Sequence, residues 1–210
     1  MAITASQVKE LRERTGIAMM KCKKALEETA GNLEAAVEHL RKQGEATADK
    51  KADRATNAGG LGIAFDGGKG ALVLLSCETD FVSGNAEFKD FVGEVAAAAL
   101  ASGATDLDAL AAAPMNGSTV KEAIVGLVAK MGENMQLATL DLVAGDVVAG
   151  YNHGGRVAGL VAGSGDAGAL RNIAMHVAAA NPAPLSLDRS GVPEDVVAKE
   201  REIESLVAPL

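Results

Sequence analysis

Apolar residues in the first part of the chain recur at the spacing of short amphipathic helices. Thr4 can cap a helix that carries Val8 and Leu11 and stops near Thr15-Gly16. A second helix is expected from about Met19 to Leu26, and Asn32 caps a third. In that third helix Leu33, Ala36, Val37 and Leu40 fall at i, i+3, i+4 and i+7, the spacing of one buried face, and Gly44 is placed to end it. A unit of about 45 residues makes only a marginal core. Residues 1–54 therefore read as a small docking domain with the start of a linker, the linker running from Glu45 to Gly60 and turning from charged to Ala-rich to Gly-rich.

Beyond the linker the pattern changes to that of hairpins. Gly67-Gly68-Lys69-Gly70-Ala71-Leu72-Val73 is matched 87 residues later by Gly154-Gly155-Arg156-Val157-Ala158-Gly159-Leu160, each with an aromatic just upstream, Phe65 or Tyr151. Each copy gives a Gly-Gly turn and a β-rich run. A helix follows each, from Glu87 to about Ala101 and from Asp166 to about Ala180, where Asn181-Pro182 ends it. The shared ββα order makes an internal duplication the better explanation. The first copy continues with a helix over Ser118 to Gly132, carrying Val120, Ile124, Leu127, Val128 and Met131, and a third strand in the alternation from Met135 to Leu140. The second copy offers only a helix from about Glu194 to Val207, so its sheet should lack a third strand and keep an open edge. The chain is thus expected to be a shortened relative, or a piece, of a longer protein. The expected fold class is α+β: a three-helix N-terminal domain, a first core subdomain over 55–143, and a partial second subdomain over 144–210 that includes the start of a further helical segment.

Composition narrows the function. The 210 residues, 48% apolar, can bury a real core. One Tyr, four Phe and no Trp leave few platforms for stacking bases, and a net charge of −8 disfavours phosphate backbones. That charge is uneven: residues 1–54 hold 11 Lys and Arg against 9 Asp and Glu, and the remainder holds 9 against 19. A slightly basic module before a strongly acidic body favours a protein partner over nucleic acid. Cys22 and Cys77 have no CxxC spacing, so no metal site is expected. No apolar run approaches the ~20 residues needed to span a bilayer, and no N-terminal signal pattern is present, so a cytoplasmic location with reduced thiols is expected.

Enzyme chemistry finds little support. His39, His153 and His176 have no neighbouring nucleophile or metal-ligand pattern, and surface or satisfied core roles suit His39 and His176. The Gly-Gly turns lack both the P-loop and the strand-GxGxxG-helix context, so no bound cofactor is expected. Met19-Met20 could fill the core or line an adaptable contact surface. Lys21, Lys23 and Lys24 could solvate their helix or steer docking onto an acidic partner.

The most informative stretch joins an apolar strand to a carboxylate and an aromatic ring: Leu72-Val73-Leu74-Leu75, then Ser76-Cys77-Glu78-Thr79-Asp80-Phe81-Val82. Phe88 and Phe91 suit the buried face of the helix that follows. Phe81 precedes Ser83-Gly84-Asn85, where the chain must turn, and is expected on a loop. It either projects from that loop or tucks back into the core.

Several blocks, in order along nearly the whole chain, resemble the elongation factor Ts family of guanine-nucleotide exchange factors. They are Val8-Lys9-Glu10-Leu11-Arg12-Glu13-Arg14-Thr15-Gly16, Met19-Met20 with Cys22-Lys23-Lys24-Ala25-Leu26, Cys77-Glu78-Thr79-Asp80-Phe81-Val82, Lys130-Met131-Gly132-Glu133-Asn134, and Ile173-Ala174-Met175-His176-Val177-Ala178-Ala179. The resemblance implies a ubiquitin-associated-like N-terminal domain and an α+β core of two related subdomains. It implies a non-enzymatic role in protein biosynthesis, promoting GDP release from elongation factor Tu, which would be bound both with GDP and free of nucleotide. Thr79, Asp80, Phe81 and Val82 would disturb the partner's Mg²⁺ site, while Arg12, Thr15, Gly16, Met19, Met20, Lys23 and His153 would dock the partner. The helical hairpin and completed C-terminal subdomain of long family members have no match here. Two other classes stay open on the residues alone: a binding module whose three helices capture ubiquitin-like folds or nascent chains, and an enzyme using His153 or Cys77.

Overall fold

The computed structural model describes residues 3–180, 185–186 and 188–207. It has an α+β architecture. Helices α1 (Ala5–Thr15), α2 (Met19–Glu28) and α3 (Leu33–Lys51) form the N-terminal unit. Thr4 and Gln7 make a reciprocal capping box, Gly16 closes α1 with a left-handed φ of 68°, and Asn32 caps α3 through Ala35 N–H. Leu11, Cys22, Leu26, Ala36 and Leu40 are buried together, as the helical periodicity requires.

Gly44 does not end α3. The helix runs on to Lys51 with Gly44 buried inside it. A Cβ at this position would stand 3.3 Å from Ala129 Cβ and 3.6 Å from Val125 Cγ1, so the glycine lets α3 lie against another helix, α7 (Val120–Met131). Arg41 pairs with Glu122 at 3.2 Å, and Lys51 donates to the carbonyl of Gly132, on the same side. The expected linker from Glu45 is therefore helical for its first part. Helix α3 holds the N-terminal unit on the core over its whole second half.

In the core, β1 (Ala58–Asp66) and β2 (Lys69–Cys77) pair antiparallel around the two-residue turn Gly67-Gly68. There follow α4 (Asp80–Gly84), α5 (Ala86–Ser102), α6 (Leu107–Ala112), the short strands β3 (Pro114–Met115) and β4 (Ser118–Thr119), α7, and β5 (Met135–Ala144). The sheet order is β1-β2-β5, and a register shift opposite Leu74/Leu75 makes a bulge in the β2–β5 pairing. Ala71, Val73, Leu75 and Cys77 alternate onto one face and bury against Phe88, Val92, Val95 and Ala99 of α5. Strand and helix approach so closely that a Cβ on Gly62 would lie 2.3 Å from Val92 O. The short α6 and the β3–β4 pair have no counterpart in the sequence-based expectation.

A second hairpin, β6 (Val147–His153) and β7 (Val157–Gly163), carries α8 (Ala167–Ala179), capped by Asp166. Its turn is one residue longer than the first: His153 pairs with Val157 across Gly154-Gly155-Arg156. Among the described residues β6–β7 is two-stranded. The expected helix stop at Asn181-Pro182 lies outside the described residues. Helix α9 (Glu194–Val207) follows a 3-10 turn at Arg189–Gly191. The two hairpins meet reciprocally. Gly145 and Val148 N–H groups donate to Gly68 O and Gly67 O at 2.9 and 2.8 Å, while Leu61 N–H donates to Gly155 O and Asn152 Nδ2 to Leu61 O, both at 2.8 Å. Among the described residues no helix is long and apolar enough to cross a membrane.

Candidate partner-binding site

Strand β2 delivers Cys77 to the buried end of the sheet, and the chain must then leave the core. The segment after it is not the irregular loop the spacing indicates. Asp80, Phe81 and Val82 lie in the five-residue helix α4, with Thr79 as its extended N-cap at φ −128° and ψ 159°. Val82 is half-buried against the core, which orients the turn. Asp80 is exposed, and Phe81 is 86% exposed while Phe88 is fully buried. The alternative in which Phe81 tucks into the core is thereby removed. An apolar ring held in water on an ordered turn is available for insertion into a partner.

What orders this turn comes from the far side of α7. After Met131 the chain reverses through Gly132, at φ 83°, and presents Glu133 and Asn134. The two Glu133 carboxylate oxygens accept from Thr79, one from its hydroxyl at 2.6 Å and one from its N–H at 3.0 Å. Asn134 N–H donates to Glu78 Oε1 at 2.6 Å, and Asn134 Nδ2 donates to Ala52 O and Arg54 O at 3.2 and 2.8 Å. The bond from Asn134 N–H, assisted by the charges of Arg54 and Lys51, lowers the Glu78 carboxyl below its ordinary range. Cys77 is buried and donates its thiol to Thr79 O; burial, with the charge of Glu133, pushes it up to about 11. Such a thiol stays protonated near neutrality and is a poor nucleophile.

The expected docking residues other than His153 lie at the end of α1 and the start of α2, on either side of the turn between them. Helix α2 buries Cys22, Ala25 and Leu26, leaving Met20 and Lys23 outside. Met19 and Met20 are both exposed, at 52% and 73%, so neither fills the core. Arg12 and Gly16 are exposed, whereas Thr15 is half-buried with its hydroxyl donating to Leu11 O at 2.7 Å. His153 is exposed at the second hairpin turn, its Nδ1 2.9 Å from Tyr151 Oη, and Arg171 sits 5.8 Å from the Tyr151 ring centroid. His39 contacts Glu28 at 2.6 Å and His176 is exposed.

Three regions distant in sequence converge on the first turn of α5. Lys130 lies against Gly16, where a Cβ would be 2.9 Å from its Nζ, and pairs with Glu87. Glu87 follows α4 closely. Gly155, beside His153, packs toward Lys89, 3.8 Å from a Cβ built on it. The α1–α2 turn, the Phe81 turn and the His153 turn therefore flank one helix end. Sequence reasoning missed Glu133, Asn134, Glu78 and Arg54 as the residues that fix this arrangement; the Lys130–Asn134 block stood out only by resemblance. Among the described residues no group of three His, Cys, Asp or Glu could hold a metal ion.

Comparison with known proteins identifies the family. The family model described as Elongation factor TS matches residues 78–208. A protein named elongation factor Ts from Acinetobacter baumannii (strain AYE) is 48% identical over 203 residues, covering 96% of this chain and 69% of the relative. That of Acinetobacter baylyi gives the same figures. The elongation factor Ts of Xanthomonas campestris pv. campestris is 51% identical over 207 residues, 97% of this chain and 70% of its own. The chain belongs to the elongation factor Ts family, and its role is that of a translation elongation factor.

Proposed function

We propose that this protein accelerates release of GDP from elongation factor Tu by docking through its N-terminal unit and second hairpin and inserting the Phe81 turn near the partner's Mg²⁺ site. The single observation that carries the proposal is Phe81, 86% exposed yet held on a clamped turn. The N-terminal unit, of ubiquitin-associated-like type, presents Arg12, Thr15, Gly16, Met19, Met20 and Lys23; His153 adds a contact from the core. The proposed domain division keeps the sequence-based expectation of 1–54, 55–143 and 144–210.

The mechanism needs no covalent chemistry. GDP is held partly by a cation that neutralises its phosphates through a few oxygen ligands and waters. Phe81 would wedge between packed elements of the partner, and Thr79, Asp80 and Val82 would bring the turn against the ion's surroundings, so that coordination weakens. Burying one Phe gives about 1.5–3 kcal/mol, or roughly 10–150-fold at ~1.4 kcal/mol per decade. The remaining free energy comes from docking. By linkage, nucleotide weakens the factor's hold as much as the factor weakens the nucleotide's, so the factor binds both the GDP-bound and nucleotide-free partner and turns over. The protein would act in the cytoplasm without contacting nucleic acid. The test is the release rate of fluorescent GDP from elongation factor Tu in Mg²⁺ buffer, with the native chain and with Phe81→Ala. Acceleration by the first and its loss in a folded second are expected. Binding without acceleration by the native chain would refute the proposal.

A further inference from the structure

Helix α4 is too short to stand by its own hydrogen bonds, since one turn fixes several residues for almost no internal bonding. The side chain of its N-cap residue Thr79 makes no capping bond to the helix. Both polar groups that Thr79 could spend locally, its N–H and its hydroxyl, are instead donated outward to Glu133. A charged acceptor makes these bonds stronger than neutral ones. The neighbouring pair repeats the grip, with Asn134 N–H held by Glu78. Two adjacent residues at the end of α7 thus hold two adjacent residues at the start of the Phe81 turn. Phe81 itself is exposed and has little packing to set its direction.

We infer that Glu133 is a positioning residue, which sets the direction in which Phe81 is presented to the partner and acts after docking. This rests on the exchange reading above. The separation follows from the placement: Met19, Met20 and Lys23 lie on α2, and Glu133 bonds to none of them. Loss of the clamp leaves the docking surface in place but lets the turn sample directions in which the ring cannot enter. The ordering cost then falls on the step that follows docking. It shows in the maximal release rate rather than in the factor concentration that half-saturates it.

The test varies the full chain to saturation against elongation factor Tu loaded with fluorescent GDP, in Mg²⁺ buffer. Glu133→Gln keeps the side-chain shape but removes the charge: the bond from Thr79 N–H becomes a neutral one, and the hydroxyl loses its carboxylate acceptor and can only accept from the amide. The maximal rate should fall about 10-fold or more, the scale for losing a hydrogen bond to a charged group. The half-saturating concentration should stay within about threefold of native. Glu133→Asp, which keeps the charge but shortens the reach to Thr79, decides the matter if Glu133→Gln does not fold; Thr79→Val removes only the hydroxyl bond and serves in the double variant. The double variant should fall no further than the weaker single, because both changes break one contact. A native maximal rate in Glu133→Gln, an effect confined to half-saturation, or losses that multiply in the double variant would each overturn the inference. A native chain that fails to accelerate release would overturn the exchange reading itself, and the inference with it.

Discussion

Replacing Phe81 and Phe88 separately by Ala should split function from stability. Phe88, on α5, is fully buried against β1, so its truncation removes a large side chain from a packed core and should cost about 3–5 kcal/mol. Phe81 is 86% exposed. Full burial of a Phe is worth about 1.5–3 kcal/mol, so the covered fraction places only about 0.2–0.4 kcal/mol at stake in the free protein. For a chain of this size a change of 1 kcal/mol moves Tm by about 2–4 °C. Phe88→Ala should therefore lower Tm by about 6–20 °C, and Phe81→Ala by less than about 2 °C. Thermal unfolding followed by circular dichroism on the two variants and the native chain measures both. A drop in Phe81→Ala comparable to that of Phe88→Ala would show that the ring packs in the free protein, and the argument for an exposed wedge would fail.

Two further outcomes follow from packing and from ionisation. Gly62→Ala should destabilise by about 1–3 kcal/mol or more, because its Cβ would meet Val92 O at 2.3 Å, whereas Gly93→Ala, with open space around it inside α5, should stabilise by up to about 1 kcal/mol; urea midpoints of the two variants should move in opposite directions. Cys77 has its thiol raised from the ordinary 9.0 to about 11, so the unfolded chain loses this proton first: the thiol's contribution is complete below pH 9 and is lost as pH rises toward 11. Denaturant midpoints from pH 8 to 11 should fall less steeply in Cys77→Ala than in the native chain, and equal slopes would refute this.

The legible parts of the fold are those whose signals are local. Thr4, Asn32, Asn85, Thr119 and Asp166 each bond a backbone N–H two or three residues ahead, so the cap is written beside the helix it starts. The Gly-Gly turns and the alternation of β2 likewise carry their own geometry, and the candidate site was marked by an aromatic that fits no helical or strand period. Other features depend on partners far along the chain. Gly44 has the residue type of a helix terminator, yet it lies inside α3 because its missing side chain admits α7. Met19 and Met20 had two meanings until the burial of Cys22 and Leu26 assigned the inner face of α2. The clamp is the clearest case, since Glu133 meets Thr79 across 54 positions and Asn134 meets Glu78 across 56. The sequence by itself determined the longer, amphipathic helices, the Gly-Gly turns and the odd Phe, through bonds spanning a few residues. Only the tertiary structure decided which way that Phe faces, because its direction depends on where the end of α7 comes to rest.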